Sequence, residues 1–525
     1  MTASTTGTGP AAPPPERRGG RALRVASGLL VVGLAGGALA GATHLGVADA
    51  VTVPADEVEV APTPVTLQCP GPVVLPLRAE RGDAAFDPSP VAPDVTLSAV
   101  TAAGAGAGAL AVLPLGGDTA TRDLAAGGGA VHLGEVAAPL VVRAQPQDVS
   151  PVVAATGASV VTDGDARGLA AASCRAPAND EWFVGGSTAV GATATLVLTN
   201  PGLTAAQVDL ELFGPNGPVE PSTRQHVVAP GATKVVDLGG AAADQAAVVV
   251  HVTVAGGLVA AHVQDTVVRG FTPAGTDLVV AGVAPSTRQV VTGLVAPKSQ
   301  VGSADAPALR LLAPGDGVTT AQVTLLGADG PVTLPGAQRV TLAAGEVTDV
   351  PLGGLPAGAY TVVVDADAPV VAGAVVSSTG APGALDDEPR VERAWSPSTT
   401  PGVHGTVAVP RGVQARVVIG AVGQAADDAG EGAATLRVLG SEGEVLSEHR
   451  VRVDAGTTGA WDVAELAKGA AAVELEPTGG VPLAWAVTLT VRQDDGPLVA
   501  TLDPVPVVDV TAALTVRQDA RLARG

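Results

Sequence analysis

The octapeptide LELFGPNG at 210–217 returns as VTLLGADG at 323–330 and as LRVLGSEG at 436–443, each copy 113 residues after the last. A chain that repeats at a fixed interval builds one structural unit several times, so the interval fixes the size of that unit. About 110 residues is the size of a β-sandwich domain. Behind each octapeptide comes an extended segment with a glycine turn: HVVAPGATKVVDL, RVTLAAGEVTDVPL and RVRVDAGTTGAWDV. An apolar pair of strands then closes each copy: VVVHVTVAGGLVAAHV, YTVVVDADAPVVAGAV and AAVELEPTGGVPLAWAV. The segment PLVVRAQPQDVSPVVAAT, from Pro139, resembles this last element and predicts a divergent fourth copy.

Within a copy the residues alternate. Val208, Leu210 and Leu212 fall on one side of an extended segment, and Gln207, Asp209 and Glu211 on the other. That period of two marks an antiparallel strand with one buried face and one wet face. Gly-Pro-Asn-Gly, Gly-Ala-Asp-Gly and Gly-Ser-Glu-Gly then supply residues that tolerate positive φ in a turn. Asn200-Pro201-Gly202 becomes Ala313-Pro314-Gly315 in the next copy, so the shared element is a Pro-Gly corner and not the asparagine. No amphipathic helix is evident after residue 50. The expected fold is all-β: tandem immunoglobulin- or fibronectin-like β-sandwich domains after an N-terminal transmembrane or signal helix. The domains are placed at 60–175, 176–285, 286–395 and 396–515. With four Trp, four Phe and one Tyr, their cores must be filled mainly by Val, Leu and Ala.

The N-terminus points to export. Residues 1–24 form a Pro-rich, basic tail ending in Arg17, Arg18, Arg21 and Arg24, expected to be disordered and cytoplasmic. Residues 25–48 carry no formal charge, and as a helix they would span ~36 Å, enough for a hydrocarbon core of roughly 30 Å. Basic residues precede this segment and none follows closely, which places the remainder outside. Ala48-Asp49-Ala50 also has the small-x-small form of a signal-peptidase site, so the two readings are a retained anchor and a cleaved signal.

Of the 29 basic and 51 acidic residues, four and two lie in the first 50, which leaves a net charge of −24 beyond them. Such a surface repels phosphate backbones and anionic head groups, so neither nucleic acid nor a lipid surface is an expected partner. Cys69 and Cys174 are the two cysteines, and an even count in an exported chain predicts a structural disulfide. Closing a loop of ~100 residues contributes up to ~4.7 kcal/mol in the chain-entropy model. A free nucleophilic cysteine would want a histidine nearby, and none is close in sequence.

The candidates for chemistry are few. His251 and His262 are expected on neighbouring strands, where two imidazoles across a hairpin could hold a metal, though no third ligand is evident. Asp386-Asp387-Glu388 reads as a solvated linker, and Asp365 and Asp367 as a hairpin tip without the dense acidic spacing of a calcium loop. Trp461 and Trp485 read as core or hinge packing, and Trp182-Phe183 as a possible cover for the disulfide. The sequence has no nucleophile elbow, zincin motif, phosphate loop or dinucleotide fingerprint, and no cofactor is expected.

The order Cys174, Trp182, then a strand ending in Asn200-Pro201-Gly202, after an N-terminal anchor, resembles an uncharacterised actinobacterial family of exported proteins, catalogued as a domain of unknown function. The likeness covers most of residues 60–515 and implies an envelope-associated, non-catalytic protein with no assigned substrate. The expected function is therefore a membrane-tethered extracytoplasmic scaffold, or a binding module for a cell-envelope protein or glycan. The alternative is an accessory or cryptic hydrolase acting on cell-wall polysaccharide, which would need convergent carboxylates in a cleft.

Overall fold

A computed structural model describes residues 55–59, 62–75, 91–507 (without 105, 148, 335, 384–385 and 424–429) and 513–517. The tail 1–24, the apolar segment 25–48 and the Ala48–Ala50 site lie outside the described residues. Among the described residues no helix is long and apolar enough to cross a membrane. The described residues fall into two units, a larger one within 61–512 and a smaller one made of 55–59 and 513–517. In the smaller unit the strand Ala55–Glu59 pairs antiparallel with Ala513–Arg517.

The larger unit is all-β and consists of tandem immunoglobulin-like sandwiches. The sandwich that follows Cys174 shows the plan. Its strands are Asp180–Val184, Ala192–Asn200, Ala206–Gly214, a fourth in two pieces (Gly217–Val219 and Gln225–Val228), Ala232–Asp237, Val249–Ala255, Ala260–Arg269 and Thr272–Val279. One sheet has the order first, sixth, third, fourth, and the other fifth, second, seventh, eighth. Second pairs with fifth and third with sixth, as in the immunoglobulin sandwich. Here the first strand lies beside the sixth and the seventh beside the second. The alternating residues of 206–212 behave as their pattern requires: Val208, Leu210 and Leu212 are buried with Leu196, Leu198, Val250 and Val263 from both sheets. Each such aliphatic side chain contributes ~1.5–3 kcal/mol on burial, and many modest burials replace the missing aromatic core.

The same order of pairing recurs three more times: in strands from Val65–Cys69 to Gly168–Ser173, from Ser286–Ala296 to Pro389–Pro397, and from Gly405–Ala408 to Leu498–Leu502. In the third sandwich the sixth and seventh strands are one continuous element, Gly358–Pro382, that passes from one sheet to the other. Asp365 and Asp367 therefore sit inside a strand and not at a hairpin tip. Asp365 lies 3.6 Å from Arg288, and Asp367 accepts a bond from the Thr320 amide at 2.9 Å. Asn200 is fully buried and holds its corner by donating to the Thr204 and Val228 carbonyls while accepting from the Gly202 amide.

The four sandwiches do not lie as a string. They close into a ring in which the eighth strands meet at the centre. A Cβ added at Gly168 would lie 2.5 Å from the Thr276 carbonyl, and one at Gly275 would lie 2.8 Å from the Arg393 amide. The third and fourth sandwiches are joined where the Ala381 amide donates to the Asp495 carbonyl at 2.8 Å. Fourth and first are joined by Thr156 Oγ1 to the Ala408 carbonyl at 2.7 Å, and by the amides of Ala103 and Ala130 to the carbonyls of Gly443 and Ser441.

A second, outer set of contacts repeats around the ring. The turn between third and fourth strands of each sandwich meets the turn between fourth and fifth strands of the next: Gly116 with Gly231, Pro218 with Gly345, Pro331 with Gly456, and Gly443 with Gly129. These are the two glycine turns that mark the sequence repeat. They reverse the chain and also let neighbouring backbones approach.

Candidate functional site

The centre of the ring holds a cluster of buried charges drawn from all four sandwiches. Arg167 immediately precedes the eighth strand of the first. Its Nε and Nη2 donate to the two carboxylate oxygens of Asp495 at 3.1 and 2.8 Å, and Nη2 also reaches the Gly496 carbonyl at 3.0 Å. Its Nη1 lies 3.8 Å from Glu392 Oε2, with both side chains at 1% exposure or less. Glu392 Oε1 accepts from the Leu169 amide at 3.0 Å. Next to it, Asp277 accepts from the Trp395 amide at 2.6 Å, while Asp265 accepts from Trp395 Nε1 at 2.8 Å and pairs with Arg393 at 3.1 Å. Arg310 and Arg393 lie over the Trp395 ring, with the guanidinium carbons 5.0 and 5.5 Å from its centroid.

Burial pushes the carboxyls of Asp277 and Glu392 well above the usual range, because desolvation penalises the charged form more than their donors and Arg393 or Arg167 favour it. Asp265 and Asp277 also repel each other, and Glu392 repels Asp277. One oxygen each of Asp265, Asp277 and Glu392 is buried without a hydrogen-bond partner. The cluster ties the sandwiches together: Asp265, Asp277 and Glu392 are buried, and Asp495 is partly exposed.

Two cavities lie at other places between the sandwiches. One, of about 350 Å3, lies where the links after the eighth strands converge, and is lined by Ser173, Arg175, Gly282, Ser398, Thr399 and Asp503 among others. Val65 and Pro506, near the two ends of the larger unit, line the same cavity. Arg175 is already engaged there, donating to the Ala281 carbonyl at 2.6 Å and lying 3.4 Å from Asp503. The other cavity, a groove of about 290 Å3, runs between the third and fourth sandwiches.

The disulfide joins Cys69 to Cys174 across 105 residues, inside the core of the first sandwich with Leu67, Leu97 and Val142. Trp182 is not its cover. It packs with Phe213, Val249 and Leu312 between the second and third sandwiches, and stacks on His251 at 3.9 Å.

His251 and His262 are not brought together, because the sixth and seventh strands belong to opposite sheets. His251 bridges Glu211 at 2.9 Å and Asp180 at 3.1 Å. His262 is buried beside Val197, and desolvation lowers its pKa to about 4, which keeps it neutral. Among the described residues no group of three metal-ligating side chains converges. Asp387 and Glu388 are exposed, and the solvent-accessible Asp386 carboxylate also accepts from the Thr272 hydroxyl and from the Phe271 amide at 2.7 Å, which lowers its pKa. Trp485 is core, and Trp461 packs at its edge.

Glu181 supplies a testable pH dependence. Burial raises its carboxyl to about 7, against the attraction of Arg175, and one of its oxygens is unpartnered. A carboxyl whose folded pKa is raised holds its proton longer than the unfolded chain does, so stability falls as pH rises from about 4.5 to about 7. The expected loss is roughly 3 kcal/mol, and Glu181→Gln should flatten that slope. Unfolding midpoints at pH 5 and pH 8 decide; equal slopes in variant and parent would contradict the assignment.

Arg167, Asp277, Glu392 and Trp395 escaped the reading of the sequence. The available signal was weak: charged residues standing in strands whose counterparts in other copies are apolar, as Glu392 and Arg393 are against Leu498 and Val499.

Fold and centre together define a ring of four quasi-equivalent β-sandwiches locked by buried ion pairs. The chain belongs to a family of unknown function, DUF5719, which matches residues 130–464. No curated protein matches it. A solved structure described as "Biofilm associated protein - BSP domain" is similar at 11% identity over 87% of this chain and 99% of that one, with a TM-score of 0.12.

Proposed function

We propose that the protein is a non-catalytic, extracytoplasmic β-sandwich scaffold of the cell envelope, tethered or released at its N-terminus, that presents binding surfaces to an envelope protein or glycan. The observation that carries this reading is the ring itself. Four sandwiches share a central charge cluster within one compact unit, so loops and grooves from different sandwiches are presented side by side. The alternative, a hydrolase, requires two carboxylates flanking an open cleft. Of the carboxyls that converge here, Asp265, Asp277 and Glu392 are 2% exposed or less, and the fourth, Asp495, is paired in bidentate fashion with Arg167. The Cys69–Cys174 bond fits an oxidising compartment.

Thiol trapping of intact cells combined with external protease tests export. The reading expects both cysteines oxidised and the ring accessible from outside. Reduced thiols in a protease-protected pool would overturn it. Mass spectrometry of the mature N-terminus separates the tether from release, since a start at Val51 would exclude the anchor.

A further inference from the structure

The groove between the third and fourth sandwiches has a filled counterpart between the second and third. In the eighth strands, residues 392–397 (ERAWSP) align with 498–503 (LVATLD), which places Trp395 opposite Thr501. The packing confirms the match. A Cβ at Gly185, in the second sandwich, would lie 3.0 Å from the Trp395 ring, and one at Gly293, in the third, would lie 2.8 Å from the Thr501 methyl. Strand pairing extends it: Asp265 pairs with Asp277, and at the corresponding place Val376 pairs with Ala394.

So the Trp395 indole fills this part of the junction between second and third sandwiches, while at the next junction a threonine stands in its place and a groove of about 290 Å3 is left. The wall changes character with it. Asp265, Asp277 and Arg393 are replaced by Val376, Ala394 and Val499, all lining the groove. Two polar features remain. Thr501 Oγ1 is buried and has no hydrogen-bond partner. Arg416 lines the groove with its guanidinium held flat by a bidentate pair with Asp462, at 2.7 and 3.1 Å.

We propose that this groove binds a planar aromatic ring of about indole size. Apolar side chains from two sandwiches supply the walls, Thr501 supplies one hydrogen bond to a polar edge, and Arg416 supplies a cation–π partner, as Arg310 and Arg393 do for Trp395. A far smaller apolar cavity, ~150 Å3, already takes up benzene, so the space is sufficient for two fused rings. The occupant is a free small aromatic molecule, because the one property of the groove that selects a ligand is a volume matched to two fused rings.

The test uses the full chain and two probes in ligand-observed NMR: indole, and a blocked Gly-Trp-Gly peptide. Saturable binding of indole supports the small-molecule site, and binding of the peptide without indole would overturn it in favour of capture of an aromatic side chain. Thr501→Trp fills the groove from within and should weaken either probe at least tenfold while raising the melting temperature. Should that variant misfold, Val499→Trp blocks the mouth from the half-exposed side of the strand. No saturable binding of either probe at low millimolar concentration, or binding unchanged in a folded blocking variant, would overturn the proposal.

Discussion

Replacing Arg167 with methionine lowers the stability of the ring by about 3–5 kcal/mol at neutral pH, the cost of breaking a buried ion pair by removing one partner. Arg167 belongs to the first sandwich, Glu392 to the third and Asp495 to the fourth, so one guanidinium holds three units. Without it the Glu392 carboxyl keeps its Leu169 donor but loses the nearest positive charge. Its pKa, already raised by burial, then rises further above the unfolded value. A carboxyl raised in the folded state makes stability fall with increasing pH, so the defect must be larger at pH 8 than at pH 5. Adding Glu392→Gln to the variant removes the charge problem and should recover part of the loss. Chemical unfolding at the two pH values measures this. A loss below about 1 kcal/mol, or one independent of pH, would show that the cluster does not hold the ring.

The second large effect is at the seam where the fourth sandwich meets the first. Gly443 has φ +76°, and a Cβ there would lie 2.4 Å from the Thr101 carbonyl and 2.6 Å from the Gly129 amide. Gly330 occupies the same turn in the third sandwich with φ +121° and nothing within 4 Å of its virtual Cβ. Alanine at either site carries the left-handed backbone cost of roughly 1–2 kcal/mol. At Gly443 the added methyl also meets backbone that cannot rotate away, so the total is expected to exceed about 3 kcal/mol. Equal losses for Gly443→Ala and Gly330→Ala would remove the seam from the explanation.

These residues also show what the sequence could and could not disclose. The period of two in 206–212 and the paired glycine turns predict sandwiches because strand and turn preferences act between residues a few positions apart. The ring depends on partners such as Arg167 and Asp495, 328 residues apart, and no local pattern links them. The eighth strands are equally opaque: no local pattern marks Glu392 as facing the first sandwich or Arg393 as facing the second. His251 and His262 misled for a related reason. A hairpin-like sequence suggested adjacent strands, while the chain between them crosses from one sheet to the other. The indole-sized groove is legible only after Trp395 and Thr501 are known to occupy equivalent places.

Ring closure between the fourth and first sandwiches can be read from one cross-link. The Ala130 amide donates to the Ser441 carbonyl at 2.9 Å, although 311 positions separate them in the chain. In the full protein carrying Ala130→Cys and Ser441→Cys, mild oxidation should join the two new cysteines within one chain, as mapped by mass spectrometry, with Cys69–Cys174 intact. A closed ring predicts near-complete intramolecular linkage at low protein concentration. Free thiols at both positions in the folded protein, under conditions that oxidise Cys69 and Cys174, would mean that the sandwiches form an open string.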